Sequence, residues 1–216
     1  MENSIITTLE SEKTTLLNDL IDFIFGGAPD KIKLLIQAMD KDKRISDLIL
    51  INNLILFLKE GNFNRDQLRK LSQRLEEHGN KKMYAIAIIK AIDDIESEEM
   101  ARCLANLTQS IINSQIDTRK YFRLIRLTRQ LIGEDLKFLS SNISKEKFLQ
   151  HDYLDDYLIN GLVKQVDAGY VYTDNAWDLV EYGILRGHDV NRPYKIEDRP
   201  ITSIELDHDF GNEEEE

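Results

Sequence analysis

Five cations recur along one short stretch of this chain, and their spacing makes them the residues best placed to do chemistry. Arg119, Arg123, Arg126 and Gln130 follow i, i+4, i+7, i+11 spacing, which lines one face of a helix, with Lys120 and Arg129 flanking it. Side chains so arranged can receive a phosphate, a nucleotide or an acidic segment of a partner protein. The alternative is a solvated face, or one neutralised within the fold by Asp93, Asp94, Glu96, Glu98 and Glu99 just upstream. Like-signed runs default to that second reading, and the sequence leaves both open.

Other groupings are thinner. His151 and Asp155 are four apart and share a helix face, and Asp207-His208-Asp209 forms a second polar cluster near the end. Neither brings three or four ligands at closing spacing, so no metal site is expected. His78 stands before Gly79 at an expected helix end, where a cation suits the dipole, and His188 has no catalytic company. The single cysteine, Cys103, excludes an internal disulfide and a multi-cysteine zinc site. It shares an apolar stripe with Met100, Leu104, Leu107 and Ile111, which marks a core residue and not a nucleophile. Gly26-Gly27-Ala28-Pro29-Asp30-Lys31 has the glycines of a phosphate loop, but it follows a helical pattern and lacks the Gly-Lys-Ser/Thr ending. It reads as a helix–helix turn. With no serine-hydrolase elbow, zincin motif or dinucleotide fingerprint, no catalytic residue and no cofactor is assigned, and the balance tips away from an enzyme.

The charge is unevenly placed. The 216 residues carry a formal net charge of −11, of which residues 151–216 hold 17 acidic and 5 basic side chains. Residues 1–150 hold 22 acidic and 23 basic. A field that negative in the last third disfavours a phosphate backbone or an anionic lipid surface as partner. The most apolar stretch, Ile45 to Leu58, would reach about 21 Å as a helix, short of the roughly 30 Å hydrocarbon core. No basic region precedes an apolar run at Met1-Glu2-Asn3-Ser4, so the cytoplasm is the expected location.

Helix signals position these residues. A stripe from Leu9 to Ile24 stops at Gly26-Gly27, and Pro29 opens a second helix carrying Ile32 to Met39. A third begins at Ser46 and is apolar on almost every face, which predicts a central place in the core, and one of Asn52 and Asn53 then needs a buried partner. Asn64 with Gln67 spells a capping box for a fourth helix that Gly79 closes, and Met83 to Ile92 give a fifth. Ser97 caps a sixth with Glu98 and Glu99 in its first turn, and Asp117 caps a seventh, the one bearing the cations, that ends at Gly133. Short links imply antiparallel neighbours in a bundle over residues 1–132.

After Gly133 the pattern changes. Helical pieces at about 134–140 and 145–159 lead to Leu162-Val163-Lys164-Gln165-Val166, then Asp167-Ala168-Gly169, then Tyr170-Val171-Tyr172-Thr173. This predicts a hairpin with a bulged three-residue turn, followed by a helix from Asp174 bearing Trp177, Leu179, Val180, Ile184 and Leu185. That order, with Gly161-Leu162-Val163 and Tyr172-Thr173, resembles a winged-helix module over residues 133–190. Residues 191–216 read as an extended arm and a disordered acidic tail.

The resemblance implies either DNA binding or protein contact. The helix that would enter a major groove offers Asp152, Asp155 and Asp156 and no lysine or arginine, and the wing offers Lys164 alone. The expected class is therefore a mainly α protein of non-enzymatic, regulatory or protein–protein interaction function. Its expected partner is another protein or a second copy of itself. The alternatives are a winged-helix transcriptional regulator and a membrane-acting effector whose N-terminal amphipathic helices insert.

Overall fold

Local capping chemistry and apolar periodicity set the elements, which the computed structural model describes over residues 45–76, 81–144, 151–166 and 169–186. The helices expected around Gly26-Gly27, the stop at His78-Gly79, His188 and the arm and tail lie outside these residues. The described elements are α1 (Ile45–Gly61), α2 (Arg65–Glu76), α3 (Lys81–Asp93), α4 (Glu98–Ile112), α5 (Thr118–Thr128), α6 (Gly133–Asn142) and α7 (His151–Ile159). Strands β1 (Val163–Val166) and β2 (Gly169–Tyr172), α8 (Asp174–Asp178) and a π-helix (Leu179–Ile184) follow. The described part is thus mostly helical with one antiparallel hairpin.

Helix starts follow their side chains. The Gln67 amide N–H donates to Asn64 Oδ1 and the Asn64 N–H to Gln67 Oε1, both at 2.9 Å, which closes the capping box of α2. Ser97 Oγ accepts from the Met100 N–H at 3.2 Å, and Asp117 Oδ1 from the Lys120 N–H at 2.7 Å. Gly133 behaves differently from expectation. Helix α5 ends at Thr128, and Gly133 opens α6 instead of closing α5. A Cβ there would lie 2.5 Å from Ser97 Oγ, so glycine serves the close approach of two helix starts.

The hairpin also differs in its turn. Val163 pairs with Tyr172, Lys164 with Val171, Gln165 with Tyr170 and Val166 with Gly169, a continuous register with no extra residue and so no bulge. Gly169 belongs to the strand, at φ 138°, and two residues instead of three separate the strands.

Helix α4 occupies the centre. It packs against α1, α2, α3, α5, α6 and the π-helix, and every residue from Cys103 to Ile112 is buried. The expectation that the third predicted helix would be central is corrected. That helix is α1, and it leaves Ile49 48% and Ile55 41% exposed. Its buried side holds Leu54 and Phe57 together with Asn53, whose amide donates to the Asp93 and Ile95 carbonyls at 3.1 and 3.0 Å. The asparagine partner required by the sequence is therefore the end of α3.

What makes α4 central is a polar row inside its apolar surface. Asn106 Nδ2 donates to the Gly183 carbonyl at 2.9 Å and Ser110 Oγ to the Tyr182 carbonyl at 3.3 Å. Gln109 Nε2 donates to the Gly61 carbonyl at 2.8 Å and its Oε1 accepts from Gln67 Nε2 at 3.0 Å. Helix ends leave carbonyls without intrahelical donors, and buried ones must find partners elsewhere. Here α4 supplies them, to the last residue of α1 and to the final turn of the π-helix. Thr108 adds a contact with the Tyr121 hydroxyl at 2.9 Å, which fixes α5 against α4.

Two outcomes are expected in urea unfolding. Asn106→Leu strands the buried Gly183 carbonyl and lowers stability by about 1–3 kcal/mol. Tyr172→Phe, which removes a buried hydroxyl with no hydrogen-bond partner among the described residues, changes it by less than about 1 kcal/mol or raises it.

Candidate functional site

The seventh predicted helix is α5, and its amphipathicity orients the cations. Tyr121, Leu124, Ile125, Leu127 and Thr128 are buried against the core. Burial pushes the Tyr121 phenol well above its ordinary range, so it stays neutral and keeps its bond to Thr108. The opposite face carries Arg119, Arg123 and Arg126, all exposed.

The five predicted cations do not act as one set. Lys120 turns to one side, where Nζ lies 2.9 Å from Asp178 Oδ2 and 5.6 Å from the centre of the Tyr182 ring. Asp178 is buried, with 6% of its side chain exposed, so this ammonium compensates a charge that would otherwise be costly to desolvate. Arg129 turns to the other side and pairs with Asp94 at 2.5 Å. Of the acids expected to neutralise the row, Asp94 does so and Glu99 instead meets Lys137 at 2.8 Å. No described ion pair includes Asp93, Glu96 or Glu98. Lys120 and Arg129 are therefore ties from α5 to α8 and to the turn after α3.

Three arginines remain between those ties. Arg123 Nη1 donates to Asn175 Oδ1 at 3.4 Å, a neutral partner. Arg119 and Arg126 have no ion-pair or hydrogen-bond partner among the described residues. Beside them Phe122 stacks on Tyr84 of α3, with ring centres 4.5 Å apart and planes 15° from parallel. The arrangement is a short guanidinium row edged by a half-buried aromatic pair. Such a row can bind anions but cannot exchange protons, because arginine stays protonated.

Sequence reasoning missed Asp178. Its one signal is an acid inside an apolar run, Ala176-Trp177-Asp178-Leu179-Val180, where a buried carboxylate needs a cation. It also missed the polar row of α4.

The remaining predicted groups fall as follows. Cys103 is 1% exposed, 3.5 Å from Thr128 Oγ1, and burial raises its thiol to about 12, which keeps it protonated at neutral pH. Asp155 is exposed on α7, whereas the His151 side chain and Asp207-His208-Asp209 lie outside the described residues. Among the described residues no three His, Cys, Asp or Glu side chains converge, and no helix is long and apolar enough to cross a membrane. In the segment after Gly133, Phe138 stacks on Tyr153 with centres 4.0 Å apart, and the Tyr157 hydroxyl donates to the Asp135 carbonyl at 2.7 Å, which joins α7 to α6. Asp156 and Lys164 are exposed there as well.

No known protein family, curated protein or solved structure matches this chain.

The division of the cations is testable by unfolding. Lys120→Gln leaves Asp178 without its ammonium and costs about 1–3 kcal/mol, while Arg119→Gln and Arg126→Gln each change stability by less than about 0.5 kcal/mol. A second outcome concerns pH. The hydrogen bond from Lys137 is the largest cause that holds the Glu99 carboxyl below its ordinary value, with a weaker contribution from Arg102. A lowered folded-state value stabilises above the unfolded pKa and is lost as pH falls through the folded one. The deficit of Lys137→Met relative to the parent, at most about 1 kcal/mol for so exposed a pair, is therefore present at neutral pH and vanishes in acid.

Proposed function

We propose that this chain is a non-enzymatic interaction protein of the cytoplasm that receives an acidic segment of a protein partner on Arg119, Arg123 and Arg126. The observation that carries the reading is the division within α5: two cations are consumed by the fold, whereas Arg119 and Arg126 stay exposed without a described partner. Their i, i+4, i+7 spacing keeps the three arginines on one face, where a single acidic segment can meet all of them.

The spacing suits a peptide. Along α5 the three guanidinium-bearing positions rise about 6 Å and about 4.5 Å in turn. Alternate residues of an extended chain are about 6.6 Å apart, so an acidic strand with carboxylates at every second position meets the first two arginines nearly in step and runs about 2.7 Å past the third, an offset that the long arginine side chain spans. Each arginine offers a bidentate fork to a carboxylate, and the Tyr84–Phe122 stack offers an apolar edge for a neighbouring side chain. Binding of this kind is steered by charge and weakens with salt.

The segment α6, α7, β1 and β2 enters the same reading as a winged-helix-like module that contacts protein. Exposed Asp155 and Asp156 on α7 and the single exposed Lys164 on β1 favour a protein surface over a phosphate backbone, where each contact calls for a cation.

Affinity purification of the full chain from its native cells, followed by native mass spectrometry, tests this. The parent is expected to retain a stoichiometric protein at about 50 mM salt, and the triple variant R119Q/R123Q/R126Q to retain at least about tenfold less with its fold intact. Equal recovery by the variant overturns the reading. So does a strictly monomeric parent without a partner, or duplex DNA binding that falls steeply with salt.

A further inference from the structure

Asp207-His208-Asp209 belongs to a longer run, Glu205-Leu206-Asp207-His208-Asp209, that carries a carboxylate at every second position. Between Arg199 and Glu216 there is no lysine or arginine, so no cation nearby in the chain balances those charges. The pattern is the one that the row on α5 suits. Alternate residues of an extended chain advance about 6.6 Å, so the three carboxylates cover about 13 Å, against about 10.5 Å along the helix from Arg119 to Arg126.

The receiving side is unmatched. No acidic residue interrupts α5 from Thr118 to Thr128, and Arg119 and Arg126 have no ion-pair or hydrogen-bond partner among the described residues. Arg123 meets only the neutral Asn175. Other cations of the fold differ in this respect. Arg102 pairs with Glu60 and Lys137 with Glu99, and the basic residues of α2 share their helix with Asp66 and Glu76.

Position supports the match as well. The chain leaves the described fold beside the row: Asn175 Oδ1 lies 3.4 Å from Arg123 Nη1, and the Tyr182 ring centre lies 5.6 Å from Lys120 Nζ. Arg186, the last described residue, follows Tyr182 by four positions, which keeps it within a few tens of ångströms of the three guanidinium groups. Residues 187–204 reach about 60 Å when extended, so they bring Glu205 to the row with length to spare.

We infer that residues 205–209 of the same molecule occupy the arginine row, with Glu205, Asp207 and Asp209 on Arg119, Arg123 and Arg126, so that a partner's acidic segment must displace them. The inference rests on the function proposed above and names what regulates that site. The tether gives weight to ion pairs that are individually weak. A flexible linker holds its end at an effective concentration of about 1 mM, and with a dissociation constant of about 100 μM for the untethered strand this weakens an outside ligand about tenfold. Salt screens both contacts, so low salt shows the competition best.

Fluorescence anisotropy of a labelled peptide with the sequence of residues 203–212 tests this against the full chain at about 50 mM salt. The peptide is expected to bind E205Q/D207N/D209N about tenfold more tightly than the parent. Adding R119Q/R123Q/R126Q to that variant is expected to weaken it again by at least about tenfold, with circular dichroism verifying the fold. Amide spectra of the parent and of E205Q/D207N/D209N are expected to differ around residues 119–126, and equally at about 20 μM and about 200 μM protein, because a tethered contact does not depend on concentration. Equal affinity for the parent and E205Q/D207N/D209N, lost when the arginines are replaced, overturns the inference and leaves the receiving row standing. Peptide binding that survives the arginine replacements, or none to E205Q/D207N/D209N, overturns it too, while recovery of the native partner judges the proposed function separately. Spectral differences that grow with concentration assign the contact to a second copy and overturn the assignment to the same molecule.

Discussion

The structure depends on one constraint, the need of buried carbonyls at helix ends for donors that water cannot supply. Asn106, Gln109 and Ser110 meet it from a single helix, α4, by reaching Gly183, Gly61 and Tyr182. Apolar contact would hold these neighbours loosely in register, because burial is non-directional. The hydrogen bonds select one placement, since a shift of either neighbour strands a carbonyl whose desolvation is then uncompensated. The end of α1 and the π-helix are thereby indexed to the same turns of α4. Helix α5 is indexed by Thr108 and Tyr121 in the same way.

Everything at the surface follows from that indexing. With Tyr121 fixed beneath α5, Lys120 must point toward α8 and Arg129 toward the turn after α3, where Asp178 and Asp94 receive them. Arg119, Arg123 and Arg126 are left on the outer face. The same bond that holds the Gly183 carbonyl seats Gly183 so close to Cys103 that a Cβ would stand 2.7 Å from its Sγ.

How much of this could be read in the sequence depended on distance along the chain. Caps were legible because a side chain and the backbone two or three residues on decide them: Asn64 with Gln67, Ser97 with Met100, Asp117 with Lys120. The burial of Cys103 was legible from its stripe, and the need of at least one of Asn52 and Asn53 for a buried partner from their setting in α1, although which of the two was not. The rank of the helices was not. Helix α1 is the more apolar and looked central, yet Asn106, Thr108, Gln109 and Ser110 are what tie α4 to its neighbours, and composition counts such residues against burial. Gly133 read as a stop because nothing local reveals that Ser97 lies against it. The pairing of Lys120 with Asp178 joins positions far apart in the chain. The stretch bearing the cations was found, whereas which of them the fold consumes required the tertiary arrangement.

Native-state hydrogen exchange reads the central claim directly. If the buried amides and hydroxyl of α4 hold its neighbours, the amides of the last turn of α1, of α4 and of residues 179–185 exchange through one cooperative opening with a common free energy. Protection of the π-helix that is lost well before that of α4, with its own shallow denaturant dependence, would contradict the account.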